Sequence, residues 1–361
     1  MTIEYTMVEF LKNRKAKMFQ KICFLFYFTV ILEISRAQQE EIMTLATTSS
    51  DTELVSHNDD LSRAIEKIEE IAVTAKQSTL SIKDIEKLHE EMVPKIDDVI
   101  EMTKNPNNAY KFLKDKGIDR IVIPNLDIPN AKAKTQLLLL LKILFDIAPT
   151  TINAVIPINV VDKLLDIFEN EDNLALKAHV LDILYVWLPE NPKVQARVMK
   201  LKGLEPFYEQ ISKLDTNVIH TLLDLFNKIV KEHMEIRNKQ QRNKIDTDKL
   251  ILYQRIGLIE RLSTTPVCNG LLNIFEDTWS YSTKDNDVIV PVLDLITKIK
   301  PFCLNKFQGK AKAVELFDAL LKFVKEDDTK EYLESFNLNA SDVERTLMEY
   351  VNFFKEIKDE L

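Results

Sequence analysis

The sequence predicts an all-α chain wound into an armadillo/HEAT-like helical-repeat solenoid, on three observations. Pro106, Pro149 and Pro192 recur at intervals of 43 residues. The same interval relates three sets of apolar positions: Leu137, Val180 and Leu223; Leu140, Ile183 and Phe226; Leu144, Trp187 and Val230. No segment reads as a sheet strand, and a period of about 40–47 residues filled with helical patterning marks stacked helical repeats.

Taken from the N-terminus, Lys12, Arg14, Lys15, Lys17 and Lys21 precede an apolar run over residues 22–32. That run is shorter than the roughly 20 apolar residues a membrane anchor needs. Ser35-Arg36-Ala37 then supplies small residues at the spacing signal peptidase reads, so residues 1–37 are expected to be a cleaved secretory signal, with Met18 an alternative start. Residues 38–60 are rich in Thr, Ser, Glu and Asp without apolar periodicity and are expected to be flexible. Leu61, Ile65, Ile68 and Ile71 make one helical stripe and Ile82, Ile85, Leu88 and Met92 another, which predicts N-terminal capping helices over 61–104.

Three repeats are expected over 105–232. Each unit reads as a short helix opened by Pro, a tight turn, a second helix, a polar corner and a long third helix. Proline fits the first helical turn, where its missing amide hydrogen costs nothing. Gly117 and Gly203 suit left-handed backbone at the turn, and in the second repeat Asn159 is expected to take that role. The third-helix stripes, such as Leu137, Leu140, Leu141 and Leu144, should stack into one continuous core, with Trp187 part of it. Residues 233–247 read as a charged bridge, an extended helix or a loop. Helical stretches over 248–263, 267–279, 287–303, 309–325 and 341–357 predict degenerate repeats and a cap across 233–357. Lys358, Asp359, Glu360 and Leu361 match the retrieval address of the endoplasmic reticulum (ER). No stretch beyond the signal reaches membrane-spanning length, so a chain free in the ER lumen is expected.

The sequence holds 48 Lys plus Arg against 57 Asp plus Glu, a formal charge of −9, which argues against nucleic acid as the main partner. Past the signal, Cys268 and Cys303 remain, and the oxidising lumen accepts either one disulfide or two buried free thiols. Asn339-Ala340-Ser341 is an acceptor sequence for one glycan. The five Gly lie too far apart for a phosphate-cradling loop. His57, His89, His179, His220 and His233 occur singly, without metal-ligand spacing, and no Gly-x-Ser-x-Gly elbow is present. The reading is a non-enzymatic protein without cofactors, since a solenoid lacking catalytic motifs most often offers a surface to another protein. Third-helix polar residues off the core stripe are the candidate contacts: Lys134 and Lys142, Lys177 and Tyr185, then Asn227, Lys228 and Lys231. Capped solenoids are commonly monomeric, and a monomer is expected.

Asn191-Pro192-Lys193-Val194-Gln195 followed by Lys202-Gly203-Leu204 resembles a segment of the armadillo-like nucleotide exchange factors of the heat-shock protein 70 class, in particular the ER branch that serves BiP. The first Gly of that family's Gly-Gly-Leu turn is Lys202 here. Asn105-Pro106-Asn107-Asn108-Ala109 and residues 249–262, with Leu252-Tyr253-Gln254 ahead of Gly257-Leu258, are similar too, and the resemblance runs in order over residues 85–357. It implies that the solenoid grips the nucleotide-binding domain of BiP, tilts one lobe and loosens ADP. Signal and retrieval address are what separate the ER branch from its cytosolic relatives. The alternative is a lumenal adaptor that binds clients or another lumenal protein and leaves nucleotide unaffected.

Overall fold

The computed structural model describes residues 51–77, 79–281 and 288–359, and their regular structure is entirely helical. The expected signal over 1–37, residues 38–50, and Glu360 and Leu361 of the retrieval address lie outside the described residues. The chain divides after Ser62 into two compact units. In the first, the described residues are helical from Asp51, so the last ten residues of the segment expected to be flexible are ordered as helix. That stretch contains neither Gly nor Pro, the residues that most disfavour a helix interior.

Helix α1 (Asp51–Ala75) buries Ile65 and Ile68, and α2 (Ile82–Thr103) buries Met92, Ile96, Val99 and Ile100. Ile82, expected on the second stripe, is exposed on the first turn. The first repeat is α3 (Pro106–Lys114), a π-helical turn (Ile118–Val122) running into a 3-10 turn (Ile123–Asn125), and α4 (Ala131–Ile147). The second is α5 (Pro149–Val155), α6 (Val160–Asn170) and α7 (Leu174–Trp187). The third is α8 (Pro192–Leu201), α9 (Glu205–Glu209) and α10 (Thr216–Asn238). Beyond them come α11 (Lys244–Ile256), α12 (Leu258–Leu262), α13 (Thr265–Tyr281), α14 (Ile289–Cys303), α15 (Ala311–Val324), α16 (Asp327–Ser335) and α17 (Ala340–Asp359). The expected charged bridge is therefore the end of α10 and the start of α11, with a short link between them. The expected helix over 248–263 is broken at Gly257, which takes φ 71° as a left-handed cap.

Local chemistry accounts for the starts of these elements. Pro106, Pro149 and Pro192 each occupy the first turn of a helix, and Asn105 and Asn191 cap two of them with their side chains. The third helices begin at Asn130, Asn173 and Asp215, whose side-chain oxygens accept hydrogen bonds from Ala133, Ala175 and Val218 amides at 2.9, 3.0 and 2.9 Å. Gly203 takes φ 73°, as the turn requires. Gly117 does not: its φ is −55° and Lys116 carries the positive φ of 57°. Gly117 is needed for space instead, since a Cβ there would stand 2.4 Å from the Phe112 ring. Asn159 likewise keeps φ −69°, so the second repeat turns without a left-handed residue at that position.

The third helices stack in the order α2, α4, α7, α10, α14, α17, and α6, α9, α13 and α15 form a second row behind the later part of this stack. The expected stripes face one another between third helices: Leu137, Leu140, Leu141 and Leu144, Val180, Ile183 and Trp187, and Leu223, Phe226 and Val230 are all buried. Cys268 of α13 and Cys303 at the end of α14 form a disulfide with Cα atoms 5.4 Å apart, which decides between the two outcomes the sequence leaves open. No single described helix is long and apolar enough to cross a membrane; the bent pair α4–α5 passes by composition only jointly, across a 119° break.

Candidate functional site

Lys142, Tyr185 and Lys228 occupy equivalent positions 43 residues apart, near the ends of the core stripes of α4, α7 and α10, and each reaches across to the next third helix or back to the previous one. Lys142 Nζ donates to Asp182 Oδ2 at 2.7 Å. Tyr185 donates its hydroxyl hydrogen to Asp224, and Lys228 Nζ lies 3.5 Å from the centroid of the Tyr185 ring and 3.7 Å from Asp224. Burial first, and then the hydrogen bond to Asp224, hold the Tyr185 phenol above its ordinary pKa, so it stays a neutral donor. Lys231, one turn further on, is the most open of the set at 64 % side-chain exposure and pairs loosely with Glu235 at 3.9 Å. Pairs this exposed are worth at most about 1 kcal/mol each, so an incoming surface can take over these charges at small cost.

Three of the candidate contacts are buried. Lys134 and Lys177 are buried, and both point at the C-terminal end of α6: Lys134 pairs with Glu171, and Lys177 Nζ donates to the Phe168 carbonyl at 2.6 Å and to Gln210 Oε1 at 3.0 Å. A cation there compensates the carbonyls left unpaired at a helix end. Burial lowers the Lys177 pKa. Asn227 is also buried, donating from Nδ2 to the Pro291 carbonyl at 2.8 Å and accepting from Lys298 at 3.2 Å. Burial of Lys134 and Lys177 corrects their assignment as partner contacts, whereas Asn227, though buried, lines the groove between α10 and α14.

Other members of the face escaped sequence reasoning: His179, Asp182 and Asp224 beside the predicted residues, and Asp294 and Lys298 on α14. Asp182 and Asp224 precede Tyr185 and Lys228 by three and four residues, a helical-neighbour spacing that was available as a signal. Lys298 lies where the 43-residue register has lapsed, and no spacing pointed to it. Between α10 and α14 the face opens into a groove of about 620 Å³, walled by Lys228 and Lys231 on one side and Pro291 and Asp294 on the other, with Phe336, Asn337 and Leu338 at its rim. A second groove of about 380 Å³ runs past Glu232, Lys239 and Lys249, and Lys228 and Lys231 line it as well. These two lysines thus form a ridge between two clefts.

The segments that carry the family resemblance meet elsewhere, at a buried node between α8, α10 and α11. Gln195 Nε2 donates to the Leu188 carbonyl at 2.9 Å and to Glu232 Oε2 at 3.2 Å, while its Oε1 accepts from His233 Nε2 at 2.8 Å. Tyr253 donates to the same Glu232, and its ring stacks on His233 at 4.2 Å between centroids. Burial pushes His233 down to about 4 and Glu232 up, so the imidazole is neutral at physiological pH. Lys202, where the family turn has Gly, takes an ordinary φ of −133° and pairs with Glu169 at 2.7 Å, so the turn tolerates the change. Among the described residues, no three His, Cys, Asp or Glu side chains gather as a metal site.

The family model described as the SIL1/FES1/HPBP1 C-terminal domain matches residues 108–358. The chain belongs to this family. SIL1/FES1/HPBP1 proteins are nucleotide exchange factors of Hsp70-class chaperones, and an all-α, armadillo-like solenoid is the fold observed here. The matched span takes in the third-helix face from Lys142 to Lys298, both grooves and the buried node. No curated protein matches the chain at a significant level.

Proposed function

We propose that this protein is the nucleotide exchange factor of BiP, the Hsp70-class chaperone of the ER lumen, and that it binds the nucleotide-binding domain through the third-helix face and promotes ADP release. The observation that carries the reading is the family match over residues 108–358, to which the row Lys142, Tyr185, Lys228 and Lys231 adds a surface of weakly engaged charges. The ER assignment is supported by the basic and apolar leader ending at Ala37 and by the Lys-Asp-Glu-Leu tetrapeptide. After the leader is removed the protein acts free in the lumen, as a monomer.

The mechanism needs no catalytic group. A factor that binds the nucleotide-free chaperone more tightly than the ADP form must have its own binding weakened by ADP to the same degree, a coupling typically of about 1–3 kcal/mol. The ridge of Lys228 and Lys231 supplies charge that is readily re-partnered, and the stacked third helices keep it in fixed register against one chaperone lobe. Stopped-flow release of a fluorescent ADP analogue from BiP, with and without residues 38–361, tests the reading. The expected result is accelerated release that fades as unlabelled ADP rises and is lost in Lys228→Glu/Lys231→Glu. Binding with an unchanged release rate would overturn it in favour of an adaptor.

A further inference from the structure

The groove between α10 and α14 is lined by Lys228, Lys231 and Lys298 against Asp224 and Asp294, a positive balance within a chain of formal charge −9. Lys298 is the most constrained of its lysines, with a side chain 17 % exposed against 43 % and 64 % for the other two. It pairs with Asp294 one turn earlier, and Asn227 Oδ1 accepts from its Nζ at 3.2 Å. Asn227 is itself buried and tied to the Pro291 carbonyl, so both wall helices fix this ammonium in place. Lysine offers three donor hydrogens. Two are engaged here, and no third partner of Lys298 is found among the described residues.

At the rim of the same groove an aromatic ring is held uncovered. Phe336 ends α16 in a Schellman motif: the Leu338 amide donates to the Leu333 carbonyl at 3.1 Å and the Asn337 amide to the Glu334 carbonyl at 2.9 Å, with Asn337 at φ 59°. An edge contact with Tyr332 at 5.1 Å steadies the ring, yet Phe336 stays 42 % exposed. Aromatic side chains are enriched in protein interfaces, and groups fixed beforehand lose little conformational freedom on binding.

We infer that this groove receives a projecting segment of the chaperone in which a carboxylate neighbours an apolar side chain, the carboxylate taken by Lys298 and the apolar group by Phe336. The inference rests on the exchange-factor reading proposed above and gives its face a specific anchor. Two observations select this occupant. The positive lining calls for an acidic segment, and the groove shares Lys228 and Lys231 with the face assigned to the chaperone, where exposed charge steers the approach.

Titration of nucleotide-free BiP with residues 38–361, as wild type, Lys298→Gln and Phe336→Ala, at several salt concentrations, tests the anchor. Lys298→Gln keeps a donor toward Asn227 and Phe336→Ala trims an exposed ring, so unchanged melting temperatures are expected. Each variant should bind about tenfold more weakly, as an interface anchor does. The Lys298→Gln loss should shrink as salt rises and the Phe336→Ala loss should not, because only the former is electrostatic. Wild-type affinity in either variant overturns the inference, while ADP release still accelerated by the wild type leaves the exchange-factor reading standing.

The occupant is identified with Phe336→Cys carrying a benzophenone maleimide, in a chain whose Cys268 and Cys303 are already paired. Illumination should join it to a BiP peptide that contains Asp or Glu, and added ADP should lower the yield. Photoproducts confined to the chain itself, or to a second copy of it, overturn the chaperone segment as occupant. A BiP photoproduct and weakened variants without any acceleration of ADP release would uphold the docking and sink the exchange-factor reading. No binding of BiP by the wild type overturns both.

Discussion

Between Pro106 and Asn238 the stack is held by aliphatic stripes and by polar side chains that step from one third helix to the next. Past Lys244 the register lapses, and a disulfide between α13 and α14 and an aromatic cluster take over. In that cluster Phe317 stacks on Tyr350 at 4.2 Å, and the rings of Phe307 and Phe354 lie tilted about 6 Å away. The difference teaches how a solenoid tolerates degeneracy. Equivalent neighbours hold each other by repetition, so each contact is modest and many are alike. Where successive units differ, a covalent link and a larger aromatic cluster add to ion pairs such as Lys312 with Glu276 at 3.0 Å. The proposed partner face spans the boundary, with Lys142, Tyr185 and Lys228 on the periodic side and Asp294 and Lys298 on the other.

Five variants probe this contrast, from the largest effect to the smallest. Trp187→Ala, in the periodic part, removes a ring that is 1 % exposed and packs at 5.7 Å from Phe145, and should cost about 3–5 kcal/mol in urea unfolding. Cys268→Ala/Cys303→Ala opens a loop of sequence separation 35 and should cost about 2–4 kcal/mol, with protection of α13 and α14 from hydrogen exchange lost before that of α4 and α7. An equal loss of protection in both parts would mean that the boundary does not divide cooperative units.

The junction itself should be pH-sensitive. His233 is neutral in the fold and titrates near 4, against 6.5 when unfolded, so its contribution is whole above pH 6.5 and is lost as pH falls toward 4. The loss from His233 should reach about 2 kcal/mol at pH 5, and burial of Glu232, which raises that carboxyl, works against it. His233→Phe, which keeps the stack on Tyr253, should flatten the dependence; a profile unchanged by the substitution would place the sensitivity elsewhere. Smallest is the difference between buried Lys177 and the exposed pair Lys228 and Lys231. Lys177→Met leaves the Phe168 carbonyl short of its donor and should cost about 1–2 kcal/mol with chaperone binding intact, whereas Lys228→Glu/Lys231→Glu should change stability by about 0.5 kcal/mol or less and abolish binding. Reversal of that pattern would remove the basis for the proposed face.

Much of this fold was legible in the chain because the signals were local or periodic. Proline at a first turn, Asn130, Asn173 and Asp215 as caps, and apolar stripes recurring every 43 residues are written within a helix or at a fixed offset from one. Lys142, Tyr185 and Lys228 follow the same 43-residue offset, although Asp182, Asp224 and the Tyr185 ring that they engage lie on neighbouring helices. The candidate site was legible only in that part.

What the tertiary structure alone decided depended on which distant residues meet. Lys134 and Lys177 have the composition of a surface row, yet the end of α6 lies over them. Cys268 and Cys303 pair because α13 and α14 pack side by side, and Gln195 and Tyr253, noticed as family-like sequence, are revealed as two sides of one buried node around Glu232 and His233. Sequence by itself set the helices and their repeat, since those follow from interactions within about four residues and from a period. Burial of a charge, pairing of thiols and the opening of a groove required the stack, because each depends on contacts between residues tens of positions apart.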